Sequence, residues 1–173
     1  VAGHEAIAYA QEQGIDVVVT DHHSLPDDLP DAYAIVHPEH PEGDYPFKYL
    51  AGCGVAFKLA SALLEGIPNE LLDLVAIGTI ADMVSLTGEN RILVKYGLQM
   101  LAQTERIGLQ ELMQVADIDP SDLNEETVGF KIAPMLNALG RLDDPNPAIE
   151  LLTGFDDQEA GEIAHMIQEK NEE

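Results

Sequence analysis

The sequence predicts an α/β protein: a partial parallel sheet near the N-terminal end, followed by a mainly helical segment. Three observations carry this. Ile15-Asp16-Val17-Val18-Val19-Thr20 is β-branched and almost continuously apolar, as a strand covered on both faces is. A helical pattern precedes it and a second short apolar run, Tyr33 to Val36, follows, giving the helix–strand–loop–strand order of an α/β unit. Beyond residue 53, apolar residues recur at helical spacing between Gly, Asn and Pro.

Each element has its own reason. Residues 4–13 place Ala6, Ile7 and Ala10 on one helix face, and Gly14 supplies the stop. The strand 15–20 runs into a Pro/Asp-rich loop, 25–31, and then the strand 33–36. Pro38, Pro41, Gly43 and Pro46 make 37–49 a long loop. Gly54 to Leu64 reads as a helix stopped near Gly66. Asn69 is the expected cap of a helix to Ala81, and Asn90 of one to about Gln103 with Leu93, Tyr96, Met100 and Leu101 inward. A short helix covers 109–115. Asn124 caps the next, whose first turn holds Glu125 and Glu126, and Pro134 should bend or end it. Pro147 opens a helix to about Leu152. Asp156 with Glu159 resembles a capping box for a last helix.

Composition narrows the function. The chain has 173 residues, 32 acidic and 8 basic, for a formal net charge of −24, and 46% of it is hydrophobic. That apolar share excludes a disordered acidic tail. The longest apolar run, Leu71 to Ala81 with Asp73 inside it, is far short of the ~20 residues a bilayer span needs, so no membrane role is expected. No export signal opens the chain, and the single cysteine, Cys53, excludes an intrachain disulfide and fits the cytoplasm. The charge argues against non-specific attraction to nucleic acid. It is uneven: residues 1–50 are net −9, 51–100 net −2 and 101–173 net −13.

Three groups could carry chemistry. Asp21-His22-His23 follows the first strand directly, where α/β sheets bind ligands, and adjacent histidines point in different directions, so one can bind metal while the next meets substrate. A polar turn with two solvated imidazoles would read the same. Asp82 ends an apolar helix, where an ionised carboxylate is costly unless it is paired, metal-bound or reaches solvent. Asn137-Ala138-Leu139-Gly140-Arg141 offers a neutral donor and a guanidinium fork, an anion clamp or else a surface ion pair to Asp143 or Asp144. Gly52-Cys53-Gly54 implies close backbone packing, with an anion at the helix start as one option. Cys53 is expected to be a small packed side chain. His4, His37, His40 and His165 lack any paired ligand pattern.

Taken in order, residues 17–23 (Val-Val-Val-Thr-Asp-His-His), 50–59, 78–84 (Gly-Thr-Ile-Ala-Asp-Met-Val), 88–91 (Gly-Glu-Asn-Arg) and 136–141 (Leu-Asn-Ala-Leu-Gly-Arg) resemble the DHH phosphoesterase superfamily. Within it they resemble the RecJ-type exonucleases specific for single-stranded DNA. The resemblance implies that His22 and Asp82 are metal ligands of a two-ion Mn2+ or Mg2+ centre, with Asp21 as the orienting neighbour of His22. It implies that His23 contacts the scissile phosphate and that Asn137 and Arg141 grip substrate phosphates. The implied activity is 5′→3′ phosphodiester hydrolysis in DNA repair and recombination, with a helicase or single-strand-binding protein as possible partners of the parent.

On this reading residues 1–86 are the later part of the DHH catalytic domain, 87–155 the helical part of the same core, and 156–173 the start of a connecting helix. The family's Asp-x-Asp motif, a further Asp and the C-terminal substrate-binding domain are expected to lie outside the sequence, leaving the metal centre incomplete and the piece alone inactive. Ser85 stands where the family usually has Pro, and Met135 where many members have Arg. The alternatives are a DHH phosphodiesterase acting on short oligonucleotides or cyclic dinucleotides, and a non-catalytic repair or replication scaffold.

Overall fold

The computed structural model describes residues 1–139 and 146–172. The sheet is shorter than the sequence predicts. Helix α1 (His4–Glu12) leads to β1 (Val18–Thr20), which pairs in parallel with β2 (Ala34–Val36), Val19 opposite Ile35. The Tyr33 N–H donates to Val17 O and the Asp21 N–H to Val36 O, extending the ladder by one bond at each end. Ile15 lies outside it, its N–H donating instead to Ala10 O at the end of α1. Coverage on both faces is not found either: Ile15 is 57% and Val18 51% exposed.

The rest is helical. Helices α2 (Gly52–Leu63), α3 (Leu72–Ala81), α4 (Gly88–Leu101) and α5 (Ile107–Val115) follow the long loop. Next come α6 (Glu125–Thr127), a π-turn (Val128–Ile132), α7 (Ala133–Leu139), α8 (Asn146–Thr153) and α9 (Asp157–Glu172). Two expected caps fail. Asn69 starts a 3-10 turn, Asn69–Leu71, ahead of α3 and makes no cap bond. Asn90 lies inside α4, fully buried, because its amide is taken by tertiary partners. Asn124 Oδ1 does cap, accepting from Thr127 N–H at 2.9 Å, and Asp156 Oδ1 accepts from Glu159 N–H. The helix survives Pro134: the π-turn immediately before it takes up the missing donor and the ring's bulk.

Two apolar clusters hold the molecule. Leu50, Val55, Phe57, Leu72, Val75 and Leu93 join α2, α3 and α4 beneath the long loop. A larger cluster around Ile77, Leu101, Leu109, Leu112, Ile132, Leu151 and Ile167 joins α3 to the C-terminal helices. Helix α3 touches both, and only its C-terminal end, at Ala81, is exposed. The inward face of α4 is Leu93, Val94, Gly97 and Leu101, not the Tyr96 and Met100 that spacing suggests. Gly97 has α3 backbone against it, which turns Tyr96 and Met100 outward.

Candidate functional site

The local chain explains the Asp21-His22-His23 turn. β1 ends at Thr20, and Asp21 folds its carboxylate back over the next two residues. Asp21 Oδ1 accepts from the His22 N–H at 2.7 Å, the His23 N–H at 3.1 Å and His23 Nδ1 at 2.8 Å. Oδ2 accepts from the amine of Val1. Burial alone would raise the Asp21 carboxyl. The bonds from that amine, from the His23 ring and from the two backbone N–H groups outweigh it and hold the group far below the usual carboxylate range. Asp21 is therefore ionised and saturated with donors. The ring it orients is that of His23; toward His22 it reaches the backbone alone, not the ring.

This sets the His23 tautomer. With Nδ1–H given to the carboxylate, Nε2 is left as an acceptor on a side chain that is 78% exposed, able to take up a proton and, once protonated, to donate to an external anion. The His22 ring turns the other way, 4.4 Å from the His23 ring between centroids and tilted by 50°. It is mostly buried, and its Nε2 lies 3.5 Å from Asp82 Oδ2. Residues 60 apart in sequence thus meet because β1 and the C-terminal end of α3 converge. The separation is too long for a good hydrogen bond. It matches two donors each about 2.1 Å from one shared ion.

Gly52 explains the close approach expected of Gly52-Cys53-Gly54. A Cβ there would lie 3.4 Å from His22 Cδ2, so the first residue of α2 packs on the metal-candidate ring, and no anion need be invoked. Cys53 is half-buried between α2 and α3, and burial pushes its thiol up, so it is protonated at neutral pH.

Asp82 itself is the residue after α3, 38% exposed, and so escapes the desolvation cost considered from sequence. Among the described residues no group of three or more His, Cys, Asp or Glu side chains converges as a complete metal site. The donors present fit part of a hard-cation centre: one imidazole and one carboxylate. Asn137 lies exposed on α7 and has no hydrogen bond to any of these residues. Arg141 lies outside the described residues.

Two residues with no site role assigned from sequence support the site. His37 is buried, and its Nδ1 accepts from the Glu39 N–H at 3.0 Å. Nε2 therefore carries the proton and donates to the His23 carbonyl at 2.8 Å. This neutral imidazole pins the turn from below. Asn90 donates to Tyr49 O at 2.6 Å and Ser85 O at 3.0 Å, tying the long loop to the segment after Asp82. The His23 and Tyr49 carbonyls that these residues hold lie 14 and 41 residues away, so neither role has a local signal.

The chain is similar in sequence and in fold to known proteins. Residues 1–79 match the family model described as DHH family, N-terminal domain. The chain is 54% identical over 172 residues to the single-stranded-DNA-specific exonuclease RecJ of Bacillus subtilis (strain 168), covering 99% of this chain and 22% of that protein. It is 39% identical to RecJ of Escherichia coli (strain K12), covering 99% of this chain and 33% of that protein. The crystal structure of RecJ in complex with Mn2+ from Thermus thermophilus superposes with a TM-score of 0.87 at 34% identity, over 99% of this chain and 26% of that one. The Mg2+ complex from the same organism gives 0.76 at 36% identity, over 92% of this chain and 24% of that one. The α/β expectation holds in these structures. The chain spans a third or less of these relatives.

Proposed function

We propose that the chain, whose residues 1–79 match the DHH-family model and which is similar to RecJ exonucleases over nearly its whole length, is part of a metal-dependent exonuclease that hydrolyses single-stranded DNA from the 5′ end. The observation that carries the reading is His22 Nε2 facing Asp82 Oδ2 at 3.5 Å directly beyond a strand end. Similarity to RecJ structures containing Mn2+ and Mg2+ supports a divalent-cation cofactor held in part by these two residues. Two such cations, when bound, supply the charge that activates a water and stabilises the leaving oxygen of a phosphodiester.

The chain's own residues do the positioning. Asp21 locks His23 with Nε2 outward, where, once protonated, it holds a phosphate oxygen or carries a proton to the leaving group. His37 and Gly52 fix the backbone and ring that present His22. Asn137 and Arg141 are proposed to grip substrate phosphates on the strength of the sequence resemblance. Residues 1–86 would form the later part of the catalytic domain, 87–155 its helical part and 156–173 a connecting helix. Repair and recombination in the cytoplasm, with a helicase or single-strand-binding protein as partner, are the biological setting that the similarity suggests. Among the described residues no helix is long and apolar enough to cross a membrane.

The test has two arms. In the full-length protein, His22→Ala and Asp82→Ala should each weaken Mn2+ binding in calorimetry and lower Mn2+-dependent cleavage at least ~100-fold, with the circular dichroism spectrum unchanged. Near-normal turnover in either variant defeats the ligand assignment. The 173-residue chain alone should bind Mn2+ weakly and release no nucleotides. If it degrades single strands from the 5′ end, the centre is complete without further ligands and that part of the proposal fails.

A further inference from the structure

A cavity of about 260 Å³ opens directly beside His22, and the metal-ligand pair does not use it. It is lined by His22 itself, by Lys48, Tyr49 and Leu50 at the end of the long loop, by Val84 and Ser85 after Asp82, and by Ser24 and Glu39. The loop end and the segment after Asp82 are tied together. Asn90 is completely buried and gives both amide hydrogens away, one to Tyr49 O and one to Ser85 O. Its Oδ1 is buried without a partner among the described residues. The cavity is thus built by a buried polar residue.

Its chemistry is that of a nucleotide. Tyr49 is 64% exposed, and its ring forms a T-shaped pair with Phe47 at 5.7 Å between centroids. Lys48 is exposed and has no carboxylate partner among the described residues, unlike Lys58, which Glu89 holds at 2.9 Å. Ser24 and Ser85 add hydroxyls. Glu39 in the lining makes this a poor pocket for a bare anion. An aromatic face beside such a cation suits a base with its attached phosphate, the combination used by single-strand binders. In a chain of net charge −24, this lysine next to the site is the local exception to the repelling field.

We propose that this cavity is a nucleotide subsite: Tyr49 stacks the base of a nucleotide neighbouring the scissile bond, and Lys48 contacts its phosphate. The subsite takes its ligand class from the nuclease reading above. It holds the strand so that the phosphate next in line falls on His22 and His23. Tyr49 and Lys48 are positioning residues, and their loss acts on binding before it acts on turnover.

The test uses the full-length protein and 5′-labelled oligothymidylate, read as polarisation without metal and as cleavage with Mn2+. Because Asn90 holds Tyr49 through the backbone, Tyr49→Ala leaves that anchor in place. Tyr49→Ala should weaken binding about tenfold and raise KM similarly with kcat within a factor of two, and Tyr49→Phe should restore both. Native protein should lose the same factor on a strand abasic at one particular position near the 5′ end, and Tyr49→Ala should be indifferent to that lesion. Lys48→Ala should lower the log–log salt slope of binding by about 0.7. Native affinity in Tyr49→Ala, or an abasic penalty that persists in it, overturns the subsite. Cleavage with no Tyr49 dependence removes the subsite and keeps the nuclease. Tyr49-dependent binding with no cleavage by native protein does the reverse.

Discussion

Asp21 acts through what it fixes. Two backbone N–H groups and an imidazole all converge on Asp21 Oδ1, so its contribution is the shape of the turn and the tautomer of His23. Its carboxyl is held below the ordinary value of 3.8, so the unfolded chain binds more protons there than the native one. The stability it provides is fully present above about pH 4 and is lost as pH falls below that toward its depressed native value. Melting temperature measured between about pH 5 and pH 2.5 should therefore drop more steeply for the native chain than for Asp21→Asn. Equal slopes would show that the turn bonds contribute nothing to stability. The adjacent carboxylate of interest, Asp82, is more exposed and gains its meaning only from the ring opposite.

Among the elements, α3 is decisive. It runs between both apolar clusters and ends at Asp82, so its placement sets where the site forms. Gly97 lets α4 approach it: a Cβ there would lie 2.3 Å from Leu72 O and 2.5 Å from Ala76 Cβ. Gly97→Ala must push the two helices apart and should cost about 3 kcal/mol in denaturant unfolding, displacing Asp82 as well. At its other end α3 carries Asp73, 4% exposed, which accepts from Thr104 Oγ1 at 2.8 Å and Arg106 Nε at 3.0 Å. Arg106 also donates to Leu152 O and Glu70 O, joining the α3 end to α5 and α8. Arg106→Met leaves a buried carboxylate without its counter-charge and should destabilise by roughly 3 kcal/mol while sparing Mn2+ affinity. A loss under about 0.5 kcal/mol would mean that the Thr104 hydroxyl and the Leu74 N–H satisfy Asp73 without the arginine. Glycine and arginine are thus the residues that assemble the helices, and no periodicity marks either of them.

For the whole molecule, the charge of −24 reads differently once the site is located. It suggested a protein that avoids nucleic acid, yet the cavity beside His22 carries an exposed lysine and an exposed tyrosine. Asp82 belongs where a cation would sit, and Asp21 is internally neutralised by donors, so part of the negative charge serves local structure. Much of the remainder repels itself. Raising salt from about 0.05 M to about 0.5 M should therefore increase the melting temperature of the chain, opposite to what a fold resting on surface ion pairs would do. A falling melting temperature would place the net effect in bridges such as Lys58–Glu89.

What the sequence determined by itself was local. β-branched residues with a helical stop before them placed β1, the Asn124 and Asp156 caps placed two helix starts, and the ordered motifs gave a resemblance that the match of residues 1–79 to the DHH-family model repeats. Those signals lie within a few residues of their effect. Tertiary structure decided the rest. It shortened β1 to the three residues that find a partner, moved Asn90 from a cap to a buried tie, and turned Tyr96 away from the core. It also brought His22 to Asp82 across 60 residues, over Gly52 and onto the end of α3. The reason is physical: capping and periodicity are set by neighbours in the chain, whereas which helices cross, and at what distance, is set by packing among residues with no sequence relation.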